Sequence, residues 1–199
     1  MPTRLTHTRP RVLAIWLIVA GVVGWIAAFV LTIEKLHAAE NPGTAASCDF
    51  SIVVQCTENL GSWQGAVFGF PNPLIGLTAW MAPVVVGAAI LAGARFARWF
   101  WLLFWAGLTF AVGFVIWLIG QSVYDLHTLC PWCMVTWAVT FPSFYAVTLH
   151  VLRSGVVPLP AKARATADTL MGWMPLLSVV TYAVISLIAQ LELDWISYL

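Results

Sequence analysis

Five long runs of apolar residues, each about 20 positions long, alternate with shorter polar segments along the chain. A helix of about 20 residues crosses the hydrocarbon core of a bilayer. Each run therefore predicts one membrane-spanning helix. The predicted spans are 12–33, 74–94, 99–120, 132–152 and 173–191. The first run is longer than the apolar part of a signal peptide and no small-residue cleavage site closes it, so we interpret it as a span.

The longest polar segment, 34–73, separates the first two predicted spans. Turn-forming residues at 41–47 predict a mobile loop. From 58 to 70 apolar residues recur at helical intervals, which predicts a short amphipathic helix lying in the membrane interface. Pro83 and Pro142 are expected to kink the spans that contain them. Glycines within the spans are interpreted as positions of close helix packing; they are Gly21, Gly24, Gly107 and Gly113.

The composition supports a membrane protein. Hydrophobic residues make up 61% of the 199 positions and charged residues only 9%, whereas a soluble domain has about 25% charged residues. There is no basic cluster of the kind that binds nucleic acid. We therefore expect one all-α membrane domain over 1–199, with 34–73 as an extracytoplasmic loop.

The positive charges give the expected orientation. All but Lys35 of the nine Lys and Arg lie on one side of the predicted spans: Arg4, Arg9, Arg11, Arg95, Arg98, Arg153, Lys162 and Arg164. Positively charged loops stay in the cytoplasm. This rule predicts a cytoplasmic N-terminus and an extracytoplasmic C-terminus, and it places all four cysteines outside, where disulfides are permitted.

The fourth span opens with a Cys-x-x-Cys motif, "CPWC" at 130–133. Pro131 is favoured at the first helical position, so Cys130 is predicted to be the N-cap, with Cys133 one turn along on the same face. The positive end of a helix dipole lowers the pKa of a nearby thiol. These features indicate a pair that cycles between dithiol and disulfide. The alternative is a structural pair.

Cys48 and Cys56 lie in the first loop. Taken alone, they favour an ordinary stabilising disulfide in an extracytoplasmic loop. Two pairs on one membrane face can instead exchange disulfides. The loop pair would receive electrons that arrive from the aqueous side, and the motif pair would pass them to a lipid-soluble acceptor such as a quinone. We expect no metal, because there is one Cys-x-x-Cys motif and His127 is the only nearby imidazole.

Two stretches carry a family resemblance: "CDFSIVVQCTENLGSWQGAVFGFPNPLIGL" and "LCPWC". They resemble the bacterial homologues of the vitamin K epoxide reductase family, over about 12–152. The marks are a loop cysteine pair, a serine six residues after its second cysteine, an asparagine near the start of span two, and Cys-x-x-Cys opening span four. In the DsbB type of thiol oxidase the Cys-x-x-Cys comes before the other pair, which is the reverse of the order here.

The resemblance implies a four-helix bundle around a quinone pocket, with the fifth helix packed outside. It implies that Cys133 faces the quinone ring, that Cys130 is its resolving partner, that Cys56 exchanges with Cys130, and that Cys48 receives electrons. The implied quinone-binding residues are Ser62, Phe68, Asn72, Leu118 and Trp137. Of these, Asn72 would hydrogen-bond a quinone oxygen, and Trp137 stands where vertebrate members carry a tyrosine.

The function implied by the resemblance is that of a thiol–quinone oxidoreductase in the inner membrane of a bacterium. It would reoxidise a DsbA-like thioredoxin-fold partner, use menaquinone or ubiquinone as acceptor, and bind coumarin-type inhibitors. A separate partner protein is expected because the sequence ends at Leu199 without the thioredoxin-like domain of many bacterial members. Three alternatives stay open: a quinone-epoxide reductase using the same cysteines, a transporter or channel with structural disulfides, and a scaffold subunit without chemistry. Span interiors without acidic or basic residues disfavour the transporter.

Overall fold

The computed structural model describes residues 10–198. Within that range it is α-helical, without any named strand, which confirms the predicted all-α fold. The helices are α1 (Arg11–Glu40), α2 (Thr57–Gly61), α3 (Asn72–Ala79), α4 (Met81–Ala92), α5 (Arg98–Tyr124), α6 (Pro131–Arg153), α7 (Ala161–Gly172) and α8 (Met174–Leu193). Short 3-10 helices cover Trp63–Ala66 and Trp195–Tyr198.

Five helical segments of the described chain are long and apolar enough to cross a membrane: α1, α3 together with α4, α5, α6 and α8. The protein is therefore a multi-pass membrane protein. Helix α1 continues to Glu40, past the predicted end at residue 33. The extra residues, "EKLHAAE", are mostly good helix formers, so the helix extends beyond its apolar part.

The second span is interrupted at Trp80, between α3 and α4. Pro83 follows three residues later and has no N–H to donate to the carbonyl of Ala79, with which its ring also clashes. The break therefore lies where a proline-induced kink is expected.

Pro142 lies inside α6, which is helical on both sides of it. A proline there leaves the carbonyl of Ala138, four residues earlier, without its helical donor. The hydroxyl of Tyr182 in α8 donates to that carbonyl at 2.6 Å. A neighbouring helix thus satisfies the group that Pro142 frees, as the bilayer interior requires.

The five membrane-spanning segments alternate in direction, so the bundle has two distinct ends. At one end, buried residues from the start of α1, the end of α4, the start of α5 and the end of α6 pack together, among them Leu13, Ile90, Trp101 and Val151. Arg98 lies at this end and donates to the Val156 carbonyl at 2.9 Å. Arg4 and Arg9, which the orientation argument uses, lie outside the described residues.

The opposite end carries the loop after α1 and the start of α6. There Val53 and Leu129 pack with Val123 near the end of α5 and Leu193 at the end of α8. Helix α1 packs against α3, α4 and α6, whereas the described part of α8 packs mainly against α5 and α6, with smaller contacts to α7 and to the 3-10 helix Trp195–Tyr198. The fifth spanning helix is therefore peripheral, as expected.

The predicted single helix over 58–70 is wrong. Helix α2 ends at Gly61, Ser62 is extended, and a 3-10 helix follows. The Ser62 hydroxyl caps this second helix by accepting from the N–H of Gly65. A side chain at Gly65 would place its Cβ 2.4 Å from the carbonyl oxygen of Asn59, so the sharp turn needs glycine here. The apolar pattern gave no sign of this turn.

The sequence analysis did not predict α7. It is too polar and too short to span a membrane, and its residues were interpreted only as part of a charged connection. An ion pair joins its Asp168 to Arg153 of α6 at 3.6 Å, between exposed side chains. Such pairs contribute little to stability, so the packing of α7 against α6 is its main support.

Two of the four predicted packing glycines are confirmed. A Cβ at Gly24 would lie 2.3 Å from the indole of Trp80, and one at Gly21 would lie 2.5 Å from Val84. The prediction is wrong for Gly107 and Gly113, where an added Cβ would meet no described atom within 4 Å. Helix α5 has no close neighbour at those positions.

Candidate functional site

Cys48 and Cys56 form a disulfide with a Cα–Cα distance of 5.8 Å. The bond is buried: Cys48 is 3% exposed and Cys56 0%. Asp49 fixes the loop around it, because its carboxylate accepts from the backbone N–H groups of Cys56 (2.7 Å), Thr57 (3.1 Å) and Ala46 (3.2 Å). Burial raises the pKa of Asp49, but hydrogen bonds from the Thr57 hydroxyl and these N–H groups outweigh it and hold that pKa below its usual value.

Cys130 and Cys133 are free thiols. Cys130 is the N-cap of α6, with Pro131 at the first helical position, and its sulfur accepts from the N–H of Cys133 at 3.4 Å. This confirms the predicted cap. A hydrogen bond from the Cys133 side chain is the largest influence on the pKa of Cys130, which lies below the usual thiol value despite complete burial.

The two cysteine pairs touch. The sulfurs of Cys56 and Cys130 lie 3.4 Å apart in a buried cluster. Backbone contacts hold them there: Leu129 donates to the carbonyl of Val53 at 2.7 Å and accepts from the N–H of Gln55 at 3.0 Å. A short parallel β-bridge between 54 and 129 thus fastens the loop beside the motif. No sequence pattern predicted this bridge.

A cavity of about 690 Å³ extends from Cys133 into the bundle. Residues of α1, α3, α4, α5 and α6 line it, and apolar side chains predominate. Val86 of α4 and Phe100 of α5 line its far part, so the cavity separates these two helices within the membrane-spanning region. Four of the five sequence-predicted quinone-binding residues line it: Ser62, Asn72, Leu118 and Trp137.

Phe68 lies outside this cavity, which corrects its expected place in the ring pocket. It is 49% exposed and packs against Phe70 and Phe114, beside a shallow groove of about 300 Å³ on the outer side of α5. The family resemblance implied the expected placement. Beyond the 3-10 helix Trp63–Ala66, the chain carries Phe68 to the outer side of α5, where it packs against Phe114.

Ser62 and Asn72 line the cavity but already have partners within the chain. The Ser62 hydroxyl donates to the Asn59 carbonyl at 2.9 Å and accepts from Gly65. The Asn72 amide donates to the Gln64 carbonyl at 2.6 Å and accepts from the Val67 N–H at 3.2 Å. Asn72 has a second N–H, and Trp137, which also lines the cavity, has an indole N–H. These two groups are further hydrogen-bond donors at the site.

Gln64 is the residue of this site that the sequence analysis missed. Its side chain is 2% exposed, and its Nε2 donates to Gln121 and to Asp125. Because both N–H groups are used, the amide orientation is fixed. Its Oε1 has no hydrogen-bond partner among the described residues. The only available signal was a polar residue within an otherwise apolar stretch.

Asn59 belongs to the same polar end of the cavity. Its amide donates to Thr128 at 2.8 Å and accepts from Ser122 at 2.9 Å, so it ties the loop to the end of α5 and to the residues just before the motif. The cavity is therefore polar beside the cysteines and apolar towards the bundle interior.

A family model matches residues 15–148, more than half of the chain: that of the vitamin K epoxide reductase family. The matched range contains all four cysteines and the residues that line the cavity. A comparison with curated proteins found no match.

Proposed function

Because the chain belongs to the vitamin K epoxide reductase family, it is a membrane oxidoreductase, and we propose that it transfers electrons from a thiol protein to a membrane quinone. The donor is a separate DsbA-like thioredoxin-fold protein, and the acceptor is menaquinone or ubiquinone. The net result is disulfide formation in exported proteins at the inner membrane of a bacterium, with the cysteines on the outer side.

One observation carries the proposal: the 3.4 Å contact between the sulfurs of Cys56 and Cys130. Disulfide exchange needs a thiolate to approach a disulfide sulfur. A purely structural disulfide needs no second cysteine pair against it. The contact supports a relay in which the loop pair and the motif pair exchange electrons.

The steps conserve electrons and protons. A donor dithiol reduces the Cys48–Cys56 disulfide, which leaves two thiols on the loop and a disulfide on the donor. Cys56 then attacks Cys130 when Cys130 is in a disulfide with Cys133. This attack releases the Cys133 thiol and joins Cys56 to Cys130; Cys48 then attacks Cys56, which re-forms the loop disulfide and releases the Cys130 thiol. The motif has thereby received two electrons as two thiols. Oxidation of these thiols back to a disulfide releases the two electrons and two protons that convert a quinone to a quinol.

The cavity fits a quinone. Its apolar part between α4 and α5 suits a hydrocarbon chain, and Cys133 lies at its polar end. Gln64 also lines this end, its Oε1 has no hydrogen-bond donor among residues 10–198, and a quinol hydroxyl would be such a donor. When bound, the quinone would supply a two-electron acceptor. The chain's own residues exclude water, hold the ring beside Cys133, and keep Cys130 ready to resolve it.

The test is anaerobic quinone reduction by the purified full-length protein, driven either by a reduced DsbA-like donor or by a small membrane-permeant dithiol. Variants are Cys48→Ser and Cys133→Ser. Ser154→Ala, at the other end of α6 and exposed, is the control. We expect Cys48→Ser to lose turnover only with the protein donor and Cys133→Ser to lose it with both.

Normal quinone reduction by Cys133→Ser would contradict the proposed role of the motif. Absence of turnover in folded wild type with both donors would mean that the cysteines are structural. Normal turnover of Cys48→Ser with the protein donor would remove the loop pair from the relay.

A further inference from the structure

The free thiol of Cys130 lies against the loop disulfide, on the side of Cys56. The ligand atoms of Cys48, Asp49 and Cys56 all lie within 4.8 Å of one another, and the Cys130 sulfur lies 3.4 Å from that of Cys56. In the disulfide state two of these sulfurs are bonded to each other and are poor metal ligands. Reduction frees them, and thiolates are the ligands that zinc and other thiophilic metals prefer.

We propose that the reduced protein binds one zinc ion through the sulfurs of Cys48, Cys56 and Cys130. This site goes beyond the proposed quinone chemistry, because it forms only when the loop disulfide is open and does not need the cavity. It also departs from the sequence-based expectation of no metal, because that expectation did not bring the loop cysteines and Cys130 together.

The geometry suits zinc. Zinc–sulfur bonds of about 2.3 Å in a tetrahedral arrangement place sulfurs about 3.8 Å apart. The Cys56 and Cys130 sulfurs, at 3.4 Å, need to separate by only about 0.4 Å to reach this spacing. Cys48 and Cys56 have Cα atoms 5.8 Å apart, so both side chains can turn towards one ion. A water molecule completes the fourth position.

The surroundings favour a cation. The cluster is buried among Leu31, Leu60 and Ala46, where thiolates without a counter-charge are costly. Asp49 adds a negative charge nearby. Its four acceptor positions are already filled by Ala46, Cys56 and the N–H and hydroxyl of Thr57, so it acts beside the ion rather than as a ligand.

The reaction balances as follows. A dithiol or phosphine reductant gives two electrons to the Cys48–Cys56 disulfide, which becomes two thiols. Zinc then replaces the protons of three thiols and releases three protons. Since Cys56 and Cys130 both become ligands, neither can attack a disulfide, and bound zinc holds the protein in its reduced state.

The experiment compares zinc content in reduced and oxidised full-length protein in detergent. Protein is treated with a non-thiol phosphine reductant or left oxidised, incubated with zinc chloride without air, and freed of unbound ion. Zinc per chain is measured by mass spectrometry. Cobalt is used in parallel, because thiolate–cobalt bonds absorb in the near ultraviolet. We expect one zinc per reduced chain, none per oxidised chain, and the cobalt band only after reduction.

Variants locate the ion. Cys56→Ser should remove the cobalt band and the bound zinc, while Asp49→Asn should weaken zinc binding roughly 10-fold or more, as for other groups beside a metal site. Cys133→Ser removes the other thiol of the motif, which contacts the Cys130 sulfur but is not one of the three proposed ligands. It should bind zinc normally although it cannot reduce quinone, which separates this proposal from the proposed function.

Three results would overturn the site: equal zinc on oxidised and reduced protein, full binding by Cys56→Ser, or loss of zinc in Cys133→Ser. Folding of each variant is checked by size-exclusion elution and helical circular dichroism. If Cys56→Ser does not fold, the comparison of oxidised with reduced wild type still decides the proposal.

Discussion

The amide of Asn72 holds the polar end of the cavity in shape, because it joins the carbonyl of Gln64 to the N–H of Val67. A typical hydrogen bond contributes about 0.5–1.5 kcal/mol. We therefore expect Asn72→Ala to raise the KM for quinone roughly 10-fold, through loosening of the turn that positions Gln64. Steady-state kinetics with a small dithiol donor measures this change.

Thr78→Val is the matched control for Asn72→Ala. Thr78 lies on the same helix and is exposed, and its hydroxyl donates a hydrogen bond to the Ile75 carbonyl of that helix. It should leave the KM unchanged. An equal KM for wild type and Asn72→Ala would show that the turn keeps its shape without the amide.

The carboxylate of Asp49 makes the redox loop sensitive to acid. Its folded pKa lies below the usual 3.8 because of its hydrogen bonds. Ionised Asp49 therefore stabilises the loop above about pH 4, and this stabilisation is lost as the pH falls through the lower folded pKa. We expect pepsin to cleave the wild-type loop at 41–56 faster as the pH is lowered from about 4 to about 2, beyond the change in pepsin's own activity.

Asp49→Asn cannot ionise, so its loop should be cleaved readily throughout this range without the extra acid dependence. Identical pH profiles for wild type and Asp49→Asn would contradict the role of the carboxylate.

The spacing of residues in the sequence predicted the structural position of Cys130 but not that of Phe68. The N-cap position of Cys130 follows from the proline next to it, which is a local property of the backbone. The place of Phe68 depends on whether the chain stays helical through Ser62, and a hydroxyl that caps a new helix looks the same in sequence as one that faces a ligand. The fixed amide of Gln64 depends on Gln121 and Asp125, which are far away in the chain.

At the scale of the helix, close packing of α1 against the second span depends on glycine. A Cβ at Gly24 would overlap the indole of Trp80. Overpacking of this kind costs about 1–3 kcal/mol, so Gly24→Ala should lower the free energy of unfolding by that amount. Gly107→Ala is the control, since an added Cβ there meets no described atom within 4 Å. Denaturant titration in micelles compares the two; an equal loss in both would contradict the packing argument.

The hydrogen bond between α8 and α6 compensates for Pro142. Tyr182→Phe removes the donor to the Ala138 carbonyl and should lower the free energy of unfolding by about 0.6 kcal/mol, a typical value for such bonds in membranes. In a Pro142→Ala background the carbonyl regains a helical donor, so the same change should cost less. Unfolding of all four proteins measures the coupling, and equal costs in both backgrounds would show that the two residues act independently.

At the scale of the whole molecule, the Lys and Arg residues among 10–198, Lys35 excepted, lie at the end of the bundle opposite the cysteines. The positive-inside rule predicts that this end is cytoplasmic. A periplasmic alkaline phosphatase fused after the last helix should therefore be active, and one fused after Arg95 should be inactive. The reverse pattern would place the cysteines in the cytoplasm, where the proposed disulfide chemistry is disfavoured.

The sequence predicted how many helices cross the membrane, but not which helices pack together. Lipid-facing and protein-facing residues of such helices are both apolar, so hydropathy does not separate them. Nothing in the pattern distinguished α1, which packs against α3, α4 and α6, from the lipid-exposed α8. The gap between α4 and α5 that forms the cavity was likewise absent from the pattern. The family resemblance implied a quinone pocket within the bundle, but it gave neither the shape of the pocket nor its position between α4 and α5.

The burial of the loop disulfide has a consequence for timing. With Cys48 only 3% exposed, attack by an incoming thiol has to wait until the loop opens. A small thiol collides often but leaves at once, whereas a docked protein remains through many brief openings. Selection among electron donors would then depend on residence time rather than on how reactive each thiol is.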